Sequence, residues 1–117
     1  MTPTTLYTGP SATSGSIDLS DNISNYDFLY IEYFHDGDTS RAKSLLISTN
    51  VSGANLDIAL FSGGVVFYGV AITFANDVIT FGVGRGLALQ SNGGFGGWAA
   101  SNEIKINSVI GFKKVGE

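Results

Sequence analysis

Cysteine is absent from this 117-residue sequence, and histidine occurs once, at His35. That removes disulfides, thiolate metal sites, a cysteine nucleophile and any multi-histidine zinc centre. Charge is scarce too: Asp, Glu, Lys and Arg make up 14% of the chain, against about 25% in an average soluble domain. The net charge is −4 and the six Lys and Arg are scattered, so no nucleic-acid partner is expected. The longest largely apolar run, 65–75, falls well short of the roughly 20 residues that cross a bilayer, and no membrane insertion is expected. The opening Met1-Thr-Pro-Thr-Thr has neither the basic residue nor the apolar stretch of a secretory signal. No window sustains a 3.6-residue period, so helices are not expected.

What the chain does have is glycine, at 16 positions, and thirty Ser, Thr or Asn. A polar surface built from hydroxyls and amides suits assembly into an oligomer, where buried charge is costly, or contact with hydroxyl-rich ligands. The length fits one domain, 1–117, with a single core.

The ordering stretch is 26–34, Tyr-Asp-Phe-Leu-Tyr-Ile-Glu-Tyr-Phe. With a period of two it sets Phe28, Tyr30 and Phe34 on one face and Leu29, Ile31 and Tyr33 on the other, predicting a central strand covered on both sides. Around it, short β-segments are predicted at 4–8, 15–19, 41–49, 56–60, 65–74, 78–83 and 103–113. In the last, Ile104, Ile106, Ile110 and Phe112 are expected to share a face. Asp36-Gly37, Ser62-Gly63-Gly64 and Asn76-Asp77 read as tight turns. Ser20-Asp21-Asn22 opens a single capped turn. Eight to ten short strands punctuated this way predict an all-β fold: an antiparallel β-sandwich, jelly-roll-like.

Few residues suggest chemistry. His35-Asp36-Gly37-Asp38-Thr39 spaces two carboxylates as a calcium loop does, but no further acidic ligands follow, so it reads as a hairpin and no metal is expected. Gly82-Val-Gly84-Arg-Gly86 lacks the lysine and helix of a phosphate cradle and reads as a β-bulge. Asp57, Asp77, Glu32 and Glu103 each read as outward residues on a strand or turn, and no cofactor motif or catalytic group stands out. The low-complexity loop 91–97 carries Asn92 and Phe95 and leads into Trp98, the sole tryptophan. Aromatic faces stack on the C–H faces of sugars, and loops at the tip of a rigid sandwich are where recognition sits. Phe95, Trp98, Asn92 and Arg85 are therefore the candidate ligand-binding residues. The competing reading of Trp98 is as core filler.

Leu6-Tyr7-Thr8-Gly9, Gly15-Ser16-Ile17-Asp18-Leu19, the stretch 26–34 and the ending Asn107-Ser108-Val109-Ile110-Gly111-Phe112 follow a layout with aliphatic alternation and glycine punctuation. It resembles that of the C-terminal head domains of tail-fibre and receptor-binding structural proteins of tailed phages and prophages of Gram-positive bacteria. Residues 50–101 carry no part of it. The resemblance implies a non-catalytic β-sandwich head in the virion's tail, commonly a homotrimer, which binds a bacterial surface glycan and docks on other phage tail proteins. The alternative is a purely structural tail or virion protein that mediates protein–protein assembly.

Overall fold

A computed structural model of the chain describes residues 2–12, 14–35, 38–61, 65–88, 99–100 and 103–113. Its strands are β1 (Thr2–Ala12), β2 (Ser16–Asp18), β3 (Phe28–His35), β4 (Asp38–Ser48), β5 (Gly53–Phe61), β6 (Val65–Ala75), β7 (Val78–Phe81), β8 (Arg85–Ala88), β9 (Ala99–Ala100) and β10 (Ile104–Lys113). A single 3-10 turn, Ile23–Asn25, is the helical element among the described residues. All strand pairs are antiparallel. The first sheet runs β1-β10-β3-β4, and the second runs β2-β7-β6-β8-β9 with β5 along the other edge of β6. The two pack face to face, so the all-β sandwich read from the sequence is the fold.

The core follows from the period-two alternation. Leu29 and Ile31 of β3, Ile106 and Val109 of β10, Leu56 of β5, Ile72 of β6 and Ile79 of β7 are all but fully enclosed between the sheets. Each such side chain contributes about 1.5–3 kcal/mol by leaving water. No charged or polar residue is buried among them in the described part of the chain.

Two expectations need correction. The central strand does carry apolar residues on both faces, but only Leu29, Ile31 and Tyr33 face the opposite sheet. On the outer side Phe34 is buried, as expected, but Phe28 and Tyr30 are only half-buried and no other described strand lies over them. In β10, Ile104 and Ile106 do not share a face with Ile110 and Phe112. Ile106 lies opposite Tyr33, but Ser108 lies opposite Glu32, so the register slips at Asn107. This bulge inverts the alternation: Val109 and Gly111 become buried, and Ile110 and Phe112 turn outward.

The residues of two expected turns, 36–37 and 62–64, lie outside the described residues; His35 pairs with Asp38 and Phe61 with Val65 on either side of them. Ala75 pairs with Val78 around Asn76, whose φ of 55° is the left-handed conformation that a two-residue hairpin needs. Before β3, Asn22 caps the 3-10 turn by accepting from the Ser24 amide at 3.0 Å. Asp21 accepts from the Tyr26 hydroxyl at 2.8 Å, the Asn22 amide at 2.7 Å and Asn25 Nδ2 at 2.9 Å. These bonds hold its carboxyl below the usual range, the Tyr26 hydroxyl contributing most. The Tyr26 ring lies over Gly111, with Lys113 Nζ 5.4 Å from its centroid.

Candidate functional site

The strands of the second sheet differ in what they show to the outside. Along β6 the outward positions are Phe67, Gly69, Ala71 and Thr73, so three of the four are small or short. β5 lies on one side of β6, with Asn55 opposite Ala71, Asp57 opposite Gly69 and Ala59 opposite Phe67. On the other side, β7 and β8 act as one strand broken by a bulge. Ile72 pairs with Phe81 and Gly69 with Arg85, so two residues of β6 face three of its neighbour. The Gly82 amide still donates to the Ala71 carbonyl at 2.7 Å.

That extra residue decides where Arg85 points. Counting by twos from buried Phe81 would turn Arg85 inward, whereas the bulge turns it out and leaves Val83 68% exposed beside it. Asp57, Gly69 and Arg85 therefore form a row across three strands. At about 4.8 Å between strands, acid and base stand about 10 Å apart at the backbone. They make no ion pair with each other. Gly69 leaves the space between them open, since a Cβ there would meet Asp57 Oδ1 at 3.1 Å.

The result is a groove of about 490 Å³, with Gly69 and Ala71 as floor, Asn55 and Asp57 as one wall, and Val83 and Arg85 as the other. A separate cavity of about 340 Å³ shares Asp57 with the groove and is lined also by Lys43, Ile58, Ala59, Phe67, Tyr68 and Leu87. Asp57 thus stands between Asn55 and Arg85 of the groove and the Phe67 ring of the neighbouring cavity. Beneath the groove, the Tyr33 hydroxyl reaches from the first sheet to donate to the Asp57 carbonyl at 3.2 Å. Burial pushes the pKa of that hydroxyl above its ordinary value, and the Asp57 charge adds to the rise.

Of the four candidate ligand residues, Arg85 lies in this groove. Asn92, Phe95 and Trp98 lie outside the described residues. Asp57 read in the sequence as an outward strand residue, and Asn55 and Phe67 were not singled out there. Only the pairing of β5, β6 and β8 brings them together.

A second cluster closes one end of the sandwich. His35 Nε2 lies 3.2 Å from Glu103 Oε2, and its ring packs on Tyr68 at 4.8 Å and 34°. Burial, and then the Glu103 charge, push the pKa of the Tyr68 hydroxyl above its ordinary value. Among the described residues no three metal-ligating side chains gather here or elsewhere.

No protein-family model and no curated protein matches the sequence.

Proposed function

We propose that the chain is the receptor-binding head of a phage tail fibre or baseplate, and that it holds a bacterial surface saccharide in the groove of the second sheet. The row Asp57–Gly69–Arg85 carries this reading. A pyranose offers vicinal hydroxyls at its edge and a C–H face. Asp57 accepts from those hydroxyls, Arg85 donates to ring or hydroxyl oxygens, Asn55 does both, and Phe67 gives the face a ring to stack on. Gly69 lets the sugar approach the backbone between them. The low overall charge and the Ser/Thr/Asn surface support the same reading, as does the resemblance to phage head domains. The lining supports binding over hydrolysis: among the described residues Asp57 is its one carboxylate, whereas glycoside cleavage uses two, about 5–10 Å apart. In this reading the chain is a homo-oligomer seated on other tail proteins.

Binding of purified chain to Gram-positive cell-wall glycans on an array tests the site. Asp57→Ala and Gly69→Leu are each expected to weaken binding at least tenfold with circular dichroism unchanged. If both bind like the wild type while Phe95→Ala or Trp98→Ala abolishes binding, the site belongs to the 91–98 segment instead.

The half-buried apolar outer face of the first sheet favours a second reading, a structural virion protein that contacts only other chains. It predicts no glycan on the array bound by the wild type.

A further inference from the structure

The two outer faces of the sandwich are unlike. The second sheet shows mainly short or polar residues, Ser16, Asn55, Asp57, Ala71, Thr73 and Thr80, with Phe67 and the 68%-exposed Val83 as isolated apolar ones. The first sheet shows, row by row, Phe112 beside Phe28, then Ile110 beside Tyr30 beside Leu46, with Leu46 57% exposed. Beyond these rows the same face turns polar: Ser108, Glu32 and Ser44 form one row, and Lys105 lies opposite Phe34 in the next. Glu32 accepts from Asn107 Nδ2 at 3.0 Å within the sheet.

From this arrangement we infer that the outer face of the first sheet pairs with the same face of a second copy, about a two-fold axis running along the strands. The strand order β1-β10-β3-β4 makes that operation self-complementary, because it lays each β3 over the partner's β10 and each β1 over the partner's β4. Phe28 then stacks on the second copy's Phe112, and Tyr30 on its Ile110. In the polar rows Glu32 comes over the second copy's Ser108, and Phe34 over its Lys105. Sheets stacked this way sit about 10 Å apart, the spacing at which inner side chains interdigitate. Four strands about 4.8 Å apart and some 30 Å long give a footprint on the order of 600 Å². Side-chain relief brings that to about the 800 Å² per partner of a standard specific interface. One flat face is covered by one other flat face, so the assembly closes at two copies rather than three.

The inference rests on the oligomeric part of the proposal above and not on its saccharide site. Sedimentation equilibrium of the whole chain is expected to give twice the 12.3 kDa chain mass. Leu46→Glu, at an exposed edge position that folding tolerates, is expected to raise the dissociation constant at least tenfold. Thr80→Glu, on the opposite face, is expected to leave it unchanged. A wild-type monomer, a trimer, or a dimer that Leu46→Glu leaves intact would overturn the pairing. Glycan binding by that same monomer or trimer would show the saccharide site to be sound without it.

Discussion

Gly111 shows how tightly single atoms constrain this fold. A Cβ built there would lie 2.6 Å from Tyr26 Cδ1, 2.8 Å from its Cγ and 3.0 Å from Leu6 Cδ1. Tyr26 cannot swing away, because its hydroxyl is tied to Asp21 and its backbone amide donates to the Ile23 carbonyl at 3.0 Å. Glycine in a strand has no side chain to pack, and here the tyrosine ring covers the gap. Gly111→Ala is expected to cost about 1–3 kcal/mol, as overpacking does. Urea denaturation would show it as a lower midpoint at unchanged slope. At Gly69 the same absence of a side chain serves the groove rather than the core.

At the scale of strands, β5 is an edge of the second sheet, paired among the described residues with β6 alone. Besides that ladder it is joined to the first sheet by the Tyr33 hydroxyl on the Asp57 carbonyl. Tyr33→Phe is expected to cost about 0.5–1.5 kcal/mol at neutral pH, the net worth of one hydrogen bond. It also predicts a pH dependence. The folded Tyr33 ionises above the free value of about 10, so its contribution is full below that pH and is lost as pH rises through the raised value. Thermal melts between pH 8 and 11 should therefore fall less steeply for Tyr33→Phe than for the wild type. Much at this scale was legible in the sequence: the alternation of β3, the hairpins at 36–37 and 76–77, and a bulge among Gly82, Gly84 and Gly86. The bulge in β10 was not. Asn107-Ser108 interrupts an otherwise clean alternation, and nothing in the sequence shows that the partner strand contributes one residue, Glu32, where β10 contributes two. Asp57 was passed over for a related reason: its meaning comes from Gly69 and Arg85 on neighbouring strands, at sequence separations that no local pattern spans.

Taken whole, the molecule is a sandwich with two chemically distinct exteriors. One carries aromatic and aliphatic rows; the other carries a groove floored by glycine and alanine and walled by Asn55, Asp57, Val83 and Arg85. The low charge of the chain fits both proposed uses, since neither a self-pairing face nor a sugar site needs many ions. The account depends most on the groove. Its most direct test is amide chemical-shift mapping of the isotopically labelled chain titrated with solubilised Gram-positive cell-wall saccharide. Saturable shifts centred on Asn55, Asp57, Phe67, Gly69, Ala71 and Arg85 are predicted, and shifts confined to other parts of the chain, or none at millimolar saccharide, would contradict it.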